Sequence, residues 1–496
     1  MSYPQQALLD AANAWLEKVQ EKNLIDGEFR PAAQMLDVLE PATGKVLAKA
    51  PASGPAEVEE AMAAALRARE TWAETPARQR GRLVAEAARK LKEEIPALAV
   101  LLTRETGKAI RTECRGELTV TADIMEMFGG LGSELKGETL PFAPDVFAVT
   151  TREPLGVVVA IVPWNVPVLL TMLKIAPALV AGNTVVVKAS ELAPFATIAA
   201  VSILAEMLPP GVVNVICGTG LDCGVPLTSH PGVAKITFTG SEAVGVSIYG
   251  VASERIIPVT LELGGKSPMI ICADTDFDKA VEGVMQGMRF TRQGQSCTAS
   301  SRVFIHADIF DSFVEALRAR LDQLVIGDPL DEDTDVGTII SPKQHAQICK
   351  YVDIAEAAPE ATVIRCSALP TEGVDPTLFM QPTLVLGIDP DSPVAREEIF
   401  GPVVVMQSWT SLDDVIAEAN DTDFGLGASI WTKDLATALQ TTKKLDAGFV
   451  QVNAGYTIQP NLSYGGFGRS GLGKEASLES MLEHFTRKKT IIMSMA

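Results

Sequence analysis

The feature that most constrains the fold is a regular alternation of strand-like and helix-like runs that begins at Leu155. The predicted strands are 155–162, 184–188, 212–216, 235–239 and 259–263, and the predicted helices between them are 167–180, 197–208, 223–228 and 243–252. Strands separated by helices form a parallel sheet with right-handed crossovers. A second series begins at Met269, with strands at 302–306, 383–386, 403–408, 426–431 and 448–452. The sequence therefore predicts an α/β fold with two sheets, the first similar to a dinucleotide-binding sheet.

Residues 155–173 carry no charge over a length close to that of a membrane span. Pro163, Asn165 and Pro167 interrupt this stretch, and its first half is β-branched. A buried strand, a turn and a helix are therefore predicted in place of a membrane span.

The rest of the chain adds helices and two isolated extended segments. Helices are predicted at 1–22, 55–72, 77–94 and 95–106, and short strands at 34–50 around a turn. A ribbon at 137–151 and the C-terminal tail at 487–496 are predicted to be extended. Two such segments can pair across a subunit boundary, because an unpaired strand edge recruits another strand. An ordinary edge hairpin in a monomer is the alternative.

Charge and cysteine content exclude several classes of function. The net charge of -20 opposes binding to nucleic acid and to anionic membranes. The seven cysteines are scattered and include no CxxC pair, which argues against a disulfide framework and a zinc site. No metal is predicted, and a reducing, cytoplasmic compartment is expected. Residues 1–18 lack the pattern of a signal peptide.

Cys297 is the candidate nucleophile. It lies between a predicted helix and the strand 302–306, at a junction where a side chain can be exposed. Its neighbours Gln295, Ser296 and Thr298 are polar and could hold a thiolate, whereas a structural cysteine usually lies within an apolar run. The alternative is a small buried hydrophobic residue.

A phosphate-binding turn is predicted where a strand meets a helix. The residues concerned are Phe238, Thr239, Gly240 and Ser241, with Gly245 following. Free backbone N–H groups and the helix dipole favour an anion at such a turn. A plain strand-to-helix turn is the alternative.

Two other glycine-rich segments are rejected as phosphate sites. Residues 466–471 have GxGxxG spacing, but no βαβ unit surrounds them. Residues 468–474 imitate a P-loop, but Glu475 stands where a P-loop needs Ser or Thr.

A series of motifs follows in order along the chain. They are Pro163-Trp164-Asn165, Lys188 with Glu191, Phe238 to Ser241, Glu262-Leu263-Gly264-Gly265-Lys266, Gly294-Gln295 with Cys297, and Glu398-Ile399-Phe400-Gly401-Pro402. This set resembles the aldehyde dehydrogenase superfamily, from about Pro41 to Lys489. The resemblance implies a Rossmann-like NAD-binding domain (1–130 and 154–262), an α/β catalytic domain (263–463) and a small β oligomerisation element (131–153 and 464–496).

The resemblance also implies oxidation of an aldehyde to a carboxylic acid. Cys297 would add to the carbonyl carbon, and the thiohemiacetal oxyanion would accept hydrogen bonds from the Asn165 amide and the Cys297 backbone N–H. Loss of hydride leaves a thioester, and Glu262 would activate the water that hydrolyses it. Lys174 matches a family lysine associated with proton movement, with a plain salt bridge as the alternative. Considered alone, Glu262 could cap a turn and Asn165 could be an ordinary turn amide.

By the same resemblance, NAD contacts residues from several segments. They are Val162, Pro163, Trp164, Lys188, Ser190, Glu191, Phe238, Thr239, Gly240, Ser241, Gly245, Leu263, Gly264, Glu398 and Phe400. Lys188 and Glu191 hold the adenosine ribose, while Glu398 and Phe400 position the nicotinamide ribose and ring. A carboxylate at Glu191 would repel a 2′-phosphate, which favours NAD over NADP.

The substrate pocket is predicted from positions that carry large aromatic side chains in many family members. Val166, Leu173 and Gly287 occupy them here, which predicts a wider apolar channel and a bulky, aromatic or branched aldehyde. The other residues assigned to the pocket are Leu170, Ser296, Thr298, Tyr456, Ile458 and Tyr464. The last three belong to the loop expected at the channel mouth, where the Tyr464 hydroxyl could meet the substrate. Betaine aldehyde is disfavoured because no aromatic cage for a quaternary ammonium is evident.

Three other functions compete with this interpretation. A CoA-acylating dehydrogenase is disfavoured because that branch of the family generally lacks the glutamate matched by Glu262. A Cys-His hydrolase is disfavoured because none of the four histidines falls in a recognisable partner motif. A catalytically inactive binding protein of the same fold stays open, since the sequence does not show that Cys297, Glu262 and Asn165 converge. The resemblance implies a homodimer or homotetramer with a small-molecule aldehyde as substrate.

Overall fold

Two open α/β sheets form the body of the molecule in a computed structural model that describes residues 5–370, 373–455 and 459–495. The strands are β1 (Lys22–Ile25), β2 (Glu28–Pro31), β3 (Met35–Glu40), β4 (Lys45–Pro51), β5 (Thr139–Ala143), β6 (Val146–Pro154), β7 (Val157–Ile161), β8 (Thr184–Ala189), β9 (Val213–Cys217), β10 (Val233–Thr239), β11 (Val259–Glu262), β12 (Pro268–Ile271), β13 (Arg302–His306), β14 (Thr362–Arg365), β15 (Thr383–Leu386), β16 (Val403–Trp409), β17 (Phe424–Gly425), β18 (Gly427–Trp431), β19 (Phe449–Val452), β20 (Phe467–Gly468), β21 (Gly471–Leu472) and β22 (Thr486–Ser494).

Helices cover both faces of the sheets, which is the arrangement that a parallel sheet requires. They are α1 (Gln5–Val19), α2 (Pro55–Glu74), α3 (Ala77–Thr106), α4 (Arg115–Gly130), α5 (Pro167–Val180), α6 (Phe195–Ala205), α7 (Val225–Ser229), α8 (Glu242–Arg255), α9 (Phe277–Gly287), α10 (Phe310–Leu321), α11 (Pro342–Ala357), α12 (Pro393–Arg396), α13 (Leu412–Asn420), α14 (Leu435–Lys444) and α15 (Leu478–His484). Within the described ranges, no helix is long and apolar enough to cross a membrane.

The first sheet has the strand order β2-β1-β9-β8-β7-β10-β11-β21. Its five central strands are parallel, as the alternation predicts, and antiparallel strands complete both edges. The uncharged stretch 155–173 contains the fully buried β7 and the first half of the buried helix α5. The α/β fold class is therefore confirmed, and so are the buried strand and helix predicted for this stretch.

The second sheet has the order β14-β15-β16-β13-β12-β18-β19. All its strands are parallel except β14, which pairs antiparallel with β15. The sequence did not predict β14, because this edge strand has no buried residue and so lacks an apolar run.

The predicted helices 77–94 and 95–106 are one continuous helix, α3, with Pro96 inside it. The division was wrong because an internal proline is a weaker signal than a continuous buried face. Leu91, Leu98 and Leu102 lie along that face and are fully buried.

The two isolated extended segments pair with each other inside one chain. Strand β22 runs antiparallel to β6 from Thr486, opposite Pro154, to Ser494, opposite Val146. Strand β5 pairs with the other edge of β6. The two segments therefore pair with each other within one chain, and pairing of this sheet across a subunit boundary stays a prediction.

Candidate active site

Cys297 lies in the segment between α9 and β13, and the backbone of that segment is tightly constrained. Arg289, Gln293 and Gly294 all have left-handed backbone conformations, with φ of 56°, 57° and 61°. A Cβ atom at Gly294 would clash with the carbonyl oxygen of Gly401. Only glycine satisfies both the left-handed backbone and this close approach, so the segment is fixed immediately before the nucleophile.

Asn165 follows β7 and reaches the same segment. Its Nδ2 donates a hydrogen bond to the backbone oxygen of Gln295 at 3.0 Å. Its own backbone oxygen accepts a hydrogen bond from Lys108 Nζ at 2.8 Å, and the residue is 6% exposed. The amide has two hydrogens, so one remains for an oxyanion on a substrate bound to Cys297.

Glu262 is the last residue of β11 and is buried without hydrogen bonds to its carboxylate. Neither oxygen has a partner among the described residues. Burial raises the pKa of this carboxyl well above its usual range, Glu475 raises it further, and Lys174 and Lys474 act in the opposite direction. A carboxylate held this way is a stronger base than one in water.

Tyr464 is buried against the nucleophile, with its hydroxyl oxygen 3.4 Å from Cys297 Sγ. Burial raises the pKa of the Cys297 thiol to about 11, while the hydrogen bond with Tyr464 lowers it. The sequence placed Tyr464 at the channel mouth, and that placement was wrong. Its backbone pairs with Glu475 in both directions, which holds it inside at 2% exposure. Tyr456 and Ile458, assigned to the same loop, lie outside the described residues.

Lys174 forms a buried salt bridge on α5. Its Nζ lies 2.6 Å from Glu475 Oε1, which also accepts a hydrogen bond from the Thr237 hydroxyl at 3.1 Å. The geometry matches the salt-bridge alternative for Lys174, and both partners of the bridge act on the pKa of Glu262. Glu475 was missed as a site residue, although its presence was the reason for rejecting a P-loop.

A cavity of about 260 Å³ opens beside Cys297 at the carboxyl ends of the strands. It is lined by Pro163, Trp164, Asn165, Thr239, Gly240, Ser241, Leu263, Gly264, Cys297, Gln344, Gln347, Glu398, Ile399 and Phe400. A Cβ atom at Gly264 would clash with the Glu398 carboxylate, so glycine keeps this wall of the cavity open. Ligands of open α/β sheets bind at this edge, so the lining fits a dinucleotide. Gln344 and Gln347 were missed because they belong to α11 and carry no motif.

The remaining residues assigned to the cofactor lie on neighbouring elements. Lys188 Nζ forms a salt bridge with the Glu191 carboxylate at 2.9 Å, and the backbone oxygen of Lys188 accepts a hydrogen bond from the backbone N–H of Val162 at 3.3 Å. The Ser190 hydroxyl accepts a hydrogen bond from the backbone of Leu192 at 3.3 Å. The strand β10 ends at Phe238 and Thr239, and Gly245 lies on α8 against Leu263.

The residues assigned to the substrate pocket lie in different surroundings. Val166, Leu170 and Leu173 are buried in the main core cluster, and Cys297 packs against that cluster. The hydroxyls of Ser296 and Thr298 lie 3.2 Å apart and bond to each other.

Gly287 does not widen a channel. A Cβ atom there would come within 2.6 Å of Met269 Cε and 2.8 Å of Ser300 Oγ. The expectation of extra room at this position was wrong, because side chains from β12 and from the segment before β13 fill it.

Known proteins match this sequence along nearly the whole chain. The aldehyde dehydrogenase family model matches residues 29–491. A betaine aldehyde dehydrogenase of Rhizobium leguminosarum bv. trifolii is 40% identical over 478 residues, covering 95% of this chain and 97% of that protein. The hydroxyisobutyraldehyde dehydrogenase of Mycolicibacterium austroafricanum is 36% identical over 460 residues, covering 92% and 90%.

Solved structures show the same architecture. Betaine aldehyde dehydrogenase from Staphylococcus aureus, in complex with NAD+, has a TM-score of 0.93 and 33% identity, with 98% of this chain and 97% of that chain covered. PnpE in complex with nicotinamide adenine dinucleotide has a TM-score of 0.92 and 35% identity, with 96% and 98% covered. The chain therefore belongs to the aldehyde dehydrogenase family.

Proposed function

We propose that this protein catalyses the NAD-dependent oxidation of an aldehyde to a carboxylic acid. The observation that carries the proposal is that Cys297 and Asn165 share one cavity with Gly264, Glu398 and Phe400 from distant segments. The reaction needs a nucleophile, a hydrogen-bond donor for the oxyanion and a cleft for the cofactor, and the cavity brings the first two together at the edge of the sheet.

In the first half of the reaction, Cys297 Sγ loses its proton and adds to the carbonyl carbon. The oxygen becomes an oxyanion that accepts hydrogen bonds from Asn165 Nδ2 and from the backbone N–H of Cys297. That N–H makes no other hydrogen bond within the described chain. Charge that develops on the oxygen therefore meets donors that are already in place.

In the second half, the thiohemiacetal becomes a thioester and the thioester is hydrolysed. Glu398 and Phe400 would hold the nicotinamide end of NAD in the cleft, where the cofactor would supply the acceptor for the hydride that leaves the substrate carbon. Glu262 then takes a proton from the water that attacks the acyl carbon, and the carbon–sulfur bond breaks to free Cys297 and the acid. The absence of hydrogen bonds to the Glu262 carboxylate among the described residues leaves its lone pairs available for that water.

Preference for NAD over NADP is supported by Glu191. Its carboxylate, paired with Lys188 at 2.9 Å, would lie where the adenosine ribose binds and would repel a 2′-phosphate. The solved structures of the Staphylococcus aureus betaine aldehyde dehydrogenase and of PnpE both contain NAD.

The proposed substrate is a bulky aldehyde, aromatic or branched. Val166 and Leu173 support this, since neither brings an aromatic ring to the pocket. The hydroxyisobutyraldehyde named for one relative is a branched aldehyde, whereas betaine aldehyde, named for another, carries a quaternary ammonium.

We propose that each chain has an NAD-binding domain at 1–130 and 154–262 and a catalytic domain at 263–463. The proposed assembly is a homodimer or homotetramer that forms through residues 131–153 and 464–496. Exposed apolar side chains on the three-stranded sheet support an interface, among them Phe142 at 73% and Ile492 at 62% exposure. All seven cysteines are free, which fits a cytoplasmic location.

The test is NADH formation across a panel of short, branched, aromatic and charged aldehydes. We expect turnover of bulky aldehydes, its loss by at least about a thousandfold in Cys297→Ser, and normal rates in Cys349→Ser, a half-buried cysteine on α11. Normal turnover by Cys297→Ser would refute the nucleophile assignment, and a clear preference for acetaldehyde would refute the substrate class.

Product analysis separates the alternatives. A free acid whose yield does not depend on CoA supports hydrolysis, and an acyl-CoA product would indicate the CoA-acylating reaction. NAD binding without reduction by any aldehyde would indicate a binding protein of the same fold.

A further inference from the structure

An arginine without a partner lies on the segment that carries the nucleophile. Arg289 stands between α9 and Cys297, and its Nε is buried without a hydrogen-bond partner among the described residues. Its backbone is left-handed, with φ of 56°, and its carbonyl oxygen accepts a hydrogen bond from Gly294 at 2.9 Å. Strained backbone of this kind persists where the surroundings hold it, and it clusters at functional sites.

The nearest carboxylates are already occupied. Glu113 accepts hydrogen bonds from Thr291 Oγ1 at 2.5 Å and Arg292 Nε at 2.7 Å. Glu117 pairs with Lys108 and also accepts the backbone N–H of Val168 at 3.0 Å. Neither carboxylate forms an ion pair with Arg289 within the described ranges.

The buried charged cluster around Glu113 has one more cation than it has carboxylates. Lys108, Arg289 and Arg292 stand against the two carboxylates of Glu113 and Glu117 in this buried cluster.

Glu105 does not cancel the excess. Burial raises its pKa to about 8, so it is mostly protonated at neutral pH. It also accepts hydrogen bonds from the backbone N–H groups of Phe195 and Ala196, at the start of α6.

The charge of Arg289 acts electrostatically on the groups of the reaction centre. Burial lowers the pKa of Arg289 and so does Arg292, while Glu113, Tyr464 and Cys297 act in the opposite direction. Arg289 therefore interacts electrostatically both with the Glu113 cluster and with Cys297 and Tyr464. Arg289 also keeps part of its surface accessible although its Nε is buried.

We propose that Arg289 binds a carboxylate at the far end of the aldehyde substrate, so that the natural substrate is an anionic semialdehyde. This inference rests on the proposed function and specifies its substrate class. A guanidinium offers a planar fork of donors that a carboxylate can accept in pairs, and a buried carboxylate would supply the missing counter-charge. A cationic aldehyde would instead add a second positive charge beside Arg289.

The first experiment uses the wild-type enzyme and three aldehydes that differ at one end. They are 4-carboxybenzaldehyde, its methyl ester and 4-formyl-N,N,N-trimethylanilinium. We expect kcat/KM for the carboxylate to exceed that for the ester by at least tenfold, mainly through KM, and the cation to be the poorest substrate. A short pair, 4-oxobutanoate and betaine aldehyde, should rank the same way.

The outcomes separate the two proposals. Equal kcat/KM for the acid and the ester, or a preference for the cation, would overturn the role of Arg289. NADH formation in the same assays would still support the proposed function. Failure of every aldehyde to reduce NAD would overturn the proposed function itself.

The second experiment compares Arg289→Met with Arg82→Met, which removes an exposed arginine on α3. We expect the acid-to-ester ratio of kcat/KM to fall at least tenfold in Arg289→Met, to recover in part in Arg289→Lys, and to keep the wild-type value in Arg82→Met. An unchanged ratio in Arg289→Met contradicts the proposal.

A third measurement needs no variant and therefore survives a misfolded one. Terephthalate should protect wild-type Cys297 from iodoacetamide at lower concentration than monomethyl terephthalate does, at constant ionic strength. Equal protection by the two acids contradicts the proposal.

Discussion

At the scale of single residues, the environment of Cys297 decides when the thiol is reactive. Burial raises its pKa to about 11, so the thiol of the cofactor-free enzyme is protonated at neutral pH. Tyr464 is the hydrogen-bond partner that favours the thiolate, at 3.4 Å. A donor hydrogen bond stabilises the charged form of the sulfur and lowers its pKa.

We therefore expect Tyr464→Phe to make Cys297 harder to ionise. The rate of iodoacetamide alkylation should rise with pH in the wild type, and the whole profile should move to higher pH in the variant. Tyr249→Phe, on an exposed tyrosine of α8, should match the wild type. An unmoved profile in Tyr464→Phe would show that the hydroxyl does not support the thiolate.

Glu262 gives a second dependence on pH. Burial raises its pKa well above the usual value, so the ionised, basic form becomes abundant only at higher pH than for an ordinary glutamate. The steady-state rate should rise with pH as that form accumulates, and Glu262→Gln should lower it by about 10²–10⁴ and remove the rise. Stopped-flow traces should still show one NADH formed per active site in the first turnover.

The matched control for this variant is Glu254→Gln, on an exposed glutamate of α8. It should keep both the rate and the pH profile. Steady-state hydrolysis by Glu262→Gln at the wild-type rate would assign the base to another residue.

Several site residues could be named from the sequence because their motifs sit at turns after strands. Asn165 follows β7 and donates a hydrogen bond to the segment that carries Cys297, and Glu262 ends β11 and acts on the pKa of Cys297. The surroundings of a residue were harder to predict. Backbone hydrogen bonds with Glu475 hold Tyr464 inside the protein, and the Met269 side chain occupies the space beside Gly287. The contact at Gly287 joins segments that are separated in the chain.

At the scale of elements, a buried ion pair joins α5 to the segment after β21. Lys174 and Glu475 are both buried and 2.6 Å apart. Lys174→Met should lower the free energy of unfolding by about 3–5 kcal/mol, because it leaves the Glu475 charge unpaired. The double variant Lys174→Met/Glu475→Gln should recover most of the loss in urea denaturation.

An exposed pair serves as the control for that comparison. Lys444 and Asp413 are also 2.6 Å apart, but more than half of each side chain is exposed. Lys444→Met should cost less than about 1 kcal/mol. Similar losses in Lys174→Met and Lys444→Met would mean that burial does not set the cost.

Central strands were predictable and edge elements were not, for a physical reason. Strands such as β7 and β8 are buried on both faces and therefore read as continuous apolar runs. The edge strand β14 and the short β21 have little or no buried surface, so their sequences carry no such signal. α4 follows α3 closely and was missed as a separate helix.

At the scale of the whole molecule, the three-stranded sheet of β5, β6 and β22 exposes apolar side chains that an interface would cover. Phe142→Ser combined with Ile492→Asp should shift the protein towards the monomer in light scattering coupled to size exclusion. Leu435→Asp, on an apolar residue of α14 that is 71% exposed, should leave the mass unchanged. An oligomer that withstands the double variant would place the interface elsewhere.

The order of the motifs identified the family, but the sequence alone could not show which residues meet. Asn165, Glu262 and Cys297 come from three separate segments. In the folded chain Asn165 and Cys297 line one cavity, and Glu262 raises the pKa of Cys297. Arg289 belongs to no motif, and only the folded chain shows that its Nε has no hydrogen-bond partner among the described residues.

The most direct test of the account is the mass of the acyl-enzyme in Glu262→Gln. After a single turnover with NAD and 4-carboxybenzaldehyde, intact-protein mass spectrometry should show one added acyl group, and peptide mapping should place it on Cys297. An acyl group on another residue, or none despite NADH formation, would contradict the covalent mechanism.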